Sequence, residues 1–155
     1  MQVYLISACL LGVRCKYNGG HNYHPGIKKL NVPFCPLCPE QLGGLPTPRT
    51  AAELKGGDGF ALLAGEARVL CKDGHDLSDS FKKGAEQTLY IAKLLGIKKA
   101  ILKEGSPSCG LKTIKDGSFQ GISRAGPGVT AALLLKEGFE VYSEKDLEYI
   151  VKNRF

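Results

Sequence analysis

Three short apolar runs in this chain each end in a cysteine set in a turn rich in proline or glycine. Leu5-Ile6-Ser7-Ala8 leads to Cys9-Leu10-Leu11-Gly12, and Phe34-Cys35-Pro36-Leu37 leads to Cys38-Pro39-Glu40-Gln41. Ala100-Ile101-Leu102 leads through Lys103-Glu104-Gly105-Ser106-Pro107-Ser108 to Cys109-Gly110. Runs of this length with β-branched and aromatic members read as buried strands. If such strands run parallel, their carboxyl ends gather on one edge, where open α/β sheets carry their chemistry. The pattern therefore predicts a sheet that brings three thiols to one place.

The segments between these runs fit that plan. A strand is expected over residues 2–8 and a second over 32–37, the latter at an edge because Pro33 and Pro36 interrupt its hydrogen bonding. Only a short helix fits between Pro25 and Leu30. From Pro39 to Leu54 the glycines and prolines argue against long regular structure, and Gly56-Gly57-Asp58-Gly59 reads as a turn. Residues 65–71 fit one arm of a hairpin. The clearest helix spans 77–95, with Leu77, Phe81, Ala85, Leu89, Ala92 and Leu95 on one face, Asp76 or Ser78 as its cap and Gly96 as its stop. A strand at 99–103 follows, then a loop over 106–126 that is long enough to be functional or to hold a small hairpin. Pro127 suits the first turn of a helix to Lys136. A last strand at 139–142 precedes a terminal helix capped by Ser143. Strands alternating with helices predict a single α/β domain over residues 1–155, a three-layer Rossmann-like or flavodoxin-like fold with a mostly parallel sheet and long functional loops.

Six cysteines among 155 residues need a use. No apolar stretch is long enough to cross a bilayer, so no membrane association is expected. Met1 leads straight into a strand-like run without a basic leader, and a cytoplasmic location is expected. In a reducing compartment, cysteines serve metals or catalysis more often than disulfides. The formal charge of +6 fits a slightly basic protein, and a polyanion-binding surface is the sharper alternative. Nucleotide cofactors are disfavoured, because Gly56-Gly57-Asp58-Gly59 has neither dinucleotide-binding spacing nor the lysine of a phosphate-binding loop.

Cys9, Cys38 and Cys109 stand 29 and 71 residues apart, a spacing that no local motif describes. Their shared context marks them as ligands of one iron–sulfur cluster or one metal ion. Three protein ligands leave a coordination position open, as a catalytic centre requires. The bland alternative is three small buried hydrophobes. Cys35 and Cys38 form a Cys-x-x-Cys, which suits half a zinc site or a redox pair less well, because no second such pair exists. Cys15 and Cys71 read as spare thiols, and His21, His24 and His75 as surface loop residues. Glu40, two residues past Cys38, can reach the open position and suits proton transfer or metal-assisted binding, or is an ordinary solvated glutamate. Ser106 and Ser108 can hydrogen-bond a ligand or cluster sulfur, or merely cap their turn.

Four segments also carry a resemblance. Ser7-Ala8-Cys9-Leu10-Leu11-Gly12 with Arg14-Cys15-Lys16-Tyr17-Asn18-Gly19 is the first, and Cys38-Pro39-Glu40-Gln41-Leu42-Gly43-Gly44-Leu45-Pro46-Thr47-Pro48-Arg49 the second. The others are Lys103-Glu104-Gly105-Ser106-Pro107-Ser108-Cys109-Gly110 and Gly126-Pro127-Gly128-Val129-Thr130-Ala131. Together they resemble a family of short prokaryotic proteins, long labelled a domain of unknown function, that includes thiouracil desulfidases and tRNA thiouridine desulfidases. The resemblance implies a [4Fe–4S] cluster on Cys9, Cys38 and Cys109, with an open iron acting as Lewis acid toward a thiocarbonyl sulfur and a non-redox exchange of sulfur for oxygen. Soft iron suits soft sulfur. By the same resemblance Glu40 shuttles protons and Ser106 assists at the substrate. The substrate is a small thiolated pyrimidine or a thiolated tRNA residue, and the loop around Arg14 and Tyr17, with Ser108, is the expected place for its ring. The segment between Asn18 and Val32 is shorter than the family pattern, Cys35 is an added thiol, and a second domain like that of some relatives is not expected. Two readings of other classes stand beside this one: a carrier of iron or sulfur without turnover, and a zinc-stabilised binding domain.

Overall fold

The computed structural model describes residues 2–153. Its centre is a parallel sheet of four strands: β1 (Tyr4–Ser7), β2 (Phe34–Leu37), β5 (Lys99–Leu102) and β8 (Glu140–Ser143), in the order β2-β1-β5-β8. β2 lies at an edge, where the missing N–H groups of Pro33 and Pro36 cost least. Taken in chain order the four strands run 2-1-3-4, the flavodoxin-like pattern without its fifth strand. The direction of winding reverses between β1 and β5, and open α/β sheets bind their ligands outside such a reversal. Ser7 pairs with Leu37, and Ile6 with Ile101, so the strand ends lie nearly flush.

Helices cover both faces, giving the expected three layers. On one side α3 (Ser78–Leu95) and α4 (Val129–Lys136) bury Ala92, Ala131 and Leu134 against Leu5, Ala100 and Leu102. On the other, a 3-10 helix at Pro25–Leu30 and α5 (Leu147–Asn153) bury Ile27, Leu30, Leu147 and Ile150 against Tyr4, Ile6 and Ile101. Alternate residues of β1 thus serve opposite cores, as a strand's period of two requires.

A third cluster lies beyond the sheet edge. There β3 (Ala52–Lys55) pairs antiparallel with β4 (Arg68–Cys71), and α2 (Gly59–Leu63) packs beside them with Leu62, Val69 and Phe81 in its core. β3 is short, in keeping with its glycine- and proline-rich stretch, whereas α2 is a helix that the turn reading did not include. Asp58, read as part of a turn, is the N-cap of α2, its carboxylate accepting from the Ala61 amide at 3.0 Å. The 106–126 loop does hold a small hairpin, β6 (Thr113–Lys115) with β7 (Ser123–Ala125). α4 begins two residues after Pro127, with Gly128 as its N-cap.

α3 also corrects one residue of its predicted face. Leu95 is 57% exposed, while Gly84 and Thr88 are buried. Gly96, in the left-handed conformation, ends the helix, and the Ile97 amide reaches back to the Ala92 carbonyl at 2.8 Å. This terminus folds Ile97 into the core in place of Leu95. Gly84 is buried because α1 (Pro39–Leu42) lies directly on it: a Cβ at Gly84 would stand 1.9 Å from the Pro39 carbonyl oxygen. A Cβ at Gly43 would meet the Ser80 carbonyl at 2.1 Å. Two helices therefore touch backbone to backbone, and that contact sets the position of Cys38 and Glu40 at the start of α1.

Gly84→Ala must push α1 off α3. The expected cost is about 1–3 kcal/mol of stability in urea unfolding, typical of overpacking. Glu86→Ala, two residues away on the exposed face of α3, is expected to change stability by less than about 0.5 kcal/mol.

Candidate active site

A cavity of about 370 Å³ opens at the carboxyl ends of β1, β2 and β5. Cys9, Cys38, Cys109, Glu40, Ser106 and Tyr17 all line it. Each arrives by a different local device. Cys9 sits in a 3-10 turn, Ala8–Leu11, that leaves β1 and is closed by Gly12 at φ 96°. Cys38 is the N-cap of α1, with Pro39 in its first turn. Cys109 is carried by a loop after β5 that is ordered around one carboxylate. Oε1 of buried Glu104 accepts from the amides of Gly105, Leu111, Lys112 and Thr113 at 3.3, 2.8, 2.9 and 3.2 Å. The loop's amides thus find an acceptor where no strand partner exists.

Ser106 and Ser108 part company inside that loop. The Ser106 hydroxyl oxygen accepts from the amides of Ser108 and Cys109 at 3.0 and 3.1 Å, so it caps the turn while lining the cavity. Its own proton remains to be donated. Ser108 lies outside the cavity, 1% exposed, and its hydroxyl bonds Thr130 on α4 at 2.7 Å. Tyr17 lines the rim and is 43% exposed, with the Lys16 ammonium 5.9 Å from its ring centroid. Arg14 points to solvent and does not line the cavity. Its neighbour Cys15, read as a spare thiol, is buried and forms part of the wall. Cys35 is half-buried on β2 and Cys71 is buried on β4, both outside the wall.

Cys15 sets the charge state of its neighbours. Its one thiol proton, available as a hydrogen-bond donor to the sulfur of either Cys9 or Cys38, is the largest influence on each. The Cys38 thiol is pulled down to about 6, against its burial and the Glu40 charge, with help from the Gln41 amide and Arg49. The Cys9 thiol falls to about 7, burial opposing and Asn22 and Lys103 assisting. Cys15 is correspondingly pushed up, first by the same bond to Cys38. Burial raises Cys109, and a hydrogen bond from Ser7 only partly offsets it. A coordinated metal would remove that last proton, since a ligating thiol is deprotonated outright.

One residue to which no sequence signal gave a role dominates the wall beside Glu40. The side chain of Arg49 is 6% exposed, and its Nε donates to Glu40 Oε1 at 3.1 Å. The basic residue closing Leu45-Pro46-Thr47-Pro48 was its visible trace.

Among the described residues, no three His, Cys, Asp or Glu side chains converge on a site for a single metal ion. Thiolates around one zinc must crowd to about 2.3 Å from it. A cube of iron and sulfide holds its ligands farther apart, so thiols spread around one cavity suit a cluster better than a single ion. Soft thiols as the donor set, two of them poised to ionise, also match iron–sulfur ligation.

The geometry finds its counterpart among known proteins. The chain matches the 2-thiouracil desulfurase family over residues 4–146. It belongs to that family. It is 44% identical over 149 residues to the uncharacterized protein YbbK of Bacillus subtilis (strain 168), covering 95% of this chain and 99% of that one. A solved structure, the [4Fe-4S]-dependent thiouracil desulfidase TudS, superposes with a TM-score of 0.86 at 38% identity, covering 98% of this chain and 97% of that one. The superposition covers the mostly parallel α/β fold as a whole. No helix among the described residues is long and apolar enough to cross a membrane.

Thiol reactivity reads out this electrostatic arrangement. In the metal-free protein, iodoacetamide is expected to modify Cys38 and Cys9 before Cys35, Cys71 and Cys109, as followed by peptide mass spectrometry. Because the two pKa values are lowered, both sites hold thiolate at neutral pH. Their rates should fall as pH drops from about 8 to about 5, with Cys38 the last to slow.

Proposed function

We propose that this family member removes sulfur from a thiolated uracil, as free base, nucleoside or tRNA residue, using a [4Fe–4S] cluster held by Cys9, Cys38 and Cys109. The observation that carries this is the convergence of three strand-end thiols, a carboxylate and a hydroxyl on one cavity. Overall a thiocarbonyl and water become a carbonyl and hydrogen sulfide, and no electron is gained or lost. The cluster, when bound, supplies a Lewis-acidic iron with affinity for the thiocarbonyl sulfur.

The remaining work falls to the protein. Glu40 carries a carboxylate of which only Oε1 is hydrogen-bonded among the described residues. Oε2 is left to take a proton from water and to return it to the departing sulfur or the ring. Ser106 offers its hydroxyl proton to a polar atom of the bound ring while its oxygen stays engaged by two amides. Tyr17 at the rim presents an aromatic face on which a pyrimidine can stack. Leu37, Ala8 and Pro107 supply apolar wall that displaces bulk water from the reacting atoms. The cavity of about 370 Å³ is shared by the cluster and its substrate, which suits a ligand no larger than one base or nucleoside. With Arg14 and Ser108 off the wall, ring binding rests on Tyr17 and the turn at Ser106.

Anaerobic reconstitution with iron and sulfide tests the proposal. Wild type is expected to take up about four irons per chain with a broad visible band, and Cys109→Ala to lose both. Glu40→Ala should keep the iron and lose at least about a hundredfold in sulfide release from thiouracil or thiouridine. A colourless protein holding zinc would overturn the proposal. Turnover undiminished in Glu40→Ala would remove Glu40 from the chemistry, and a loaded wild type without turnover would leave a carrier.

A further inference from the structure

The guanidinium of Arg49 has five N–H bonds, and every one has an acceptor in reach. Nε meets Glu40 Oε1 at 3.1 Å. Nη1 meets the Thr47 hydroxyl at 2.9 Å and the Pro46 carbonyl at 3.3 Å. Nη2 meets the Cys15 carbonyl at 2.9 Å and the Cys38 sulfur at 3.9 Å. The backbone joins in, since the Arg49 amide donates to the Tyr17 carbonyl at 2.7 Å. One side chain, 6% exposed, therefore ties together the segments that carry Cys15 and Tyr17, Cys38 and Glu40.

From this we propose that Arg49 is the positioning residue of the reaction: it fixes Glu40 by Oε1 and leaves Oε2, on a cavity-lining side chain, to the substrate. The inference rests on the desulfuration proposed above. Three physical points support it. A carboxylate gripped at one oxygen has a defined direction for the other, and misplacement by about 1 Å can cost a proton-transfer step about a hundredfold. Glu40 and Cys38 would otherwise set two negative charges two residues apart without a counter-charge, and a buried charge without a partner is costly. The planar fork also cannot be imitated by lysine, whose three donors radiate from a single atom and cannot span Glu40, Thr47 and the Cys15 carbonyl together.

The test uses reconstituted wild type, Arg49→Lys and Arg49→Gly, with turnover normalised to bound iron. Arg49→Lys is expected to lose about a hundredfold in kcat per cluster with KM within about threefold. Arg49→Gly should regain at least about tenfold in millimolar guanidinium, and Glu40→Ala should regain nothing. A merely structural role would lower iron uptake instead and would show no guanidinium rescue. A second readout needs neither the cluster nor an Arg49 variant. In ¹H–¹⁵N spectra of the metal-free protein, the Arg49 Nε–H should exchange slowly in wild type and at least about tenfold faster in Glu40→Ala. Arg49→Lys with unimpaired kcat per cluster, or an Nε–H equally protected in Glu40→Ala, would overturn the role of Arg49 alone. A loaded wild type that desulfurates nothing would overturn the desulfuration and this role with it.

Discussion

Parallel pairing of β2, β1 and β5 puts three carboxyl ends on one edge of the sheet, and everything at the cavity depends on that alignment. Backbone hydrogen bonds and the two apolar cores fix the strands, so the positions of the thiols follow from burial rather than from any attraction among themselves. Thiols poised to ionise repel once they are charged, and the local contacts of Cys15 and Arg49 only partly offset that repulsion. The sheet absorbs that cost because its own stabilisation lies in Leu5, Ile6 and Ile101, well inside the molecule.

Each strand end then needs its own means of turning a side chain inward. A glycine at positive φ closes the turn that bears Cys9, a backbone contact between helices seats Cys38, and the Glu104 carboxylate gathers the loop that bears Cys109. These devices are polar or steric, not hydrophobic. They fix direction rather than add stability, which is what a site built for a defined geometry requires.

The strand ends were legible in the amino-acid pattern because apolar runs and turn residues are local signals, and the resemblance of four segments to one family added an expected set of site residues, most of which line the cavity. What escaped depended on side-chain direction within irregular backbone. Ser106 and Ser108 look equivalent on either side of Pro107, yet one faces the cavity and the other faces α4. Arg14 and Cys15 are neighbours, and the loop turns the arginine outward and the thiol inward, the reverse of the roles their chemistry suggested. Arg49 was invisible for a related reason. Its partners Glu40, Cys38 and Cys15 lie 9, 11 and 34 residues away, and only the folded path of two loops brings them to one guanidinium. At Leu95 a helix terminus governed by capping overrode periodicity, and at Asp58 a turn residue proved to cap a short helix.

The register between β1 and β5 joins residues near position 5 to residues near position 100, and Cys109 lies beyond them. Contacts of such long sequence separation form late, because the intervening loop must first be closed. A chain leaving the ribosome has therefore exposed two of the three thiols long before the third exists. No binding site is present at that stage, and an unfolded chain of this spacing has no means of assembling one. The proposed cluster therefore waits until all three thiols have been synthesised and the pairing of β1 with β5 has brought them together.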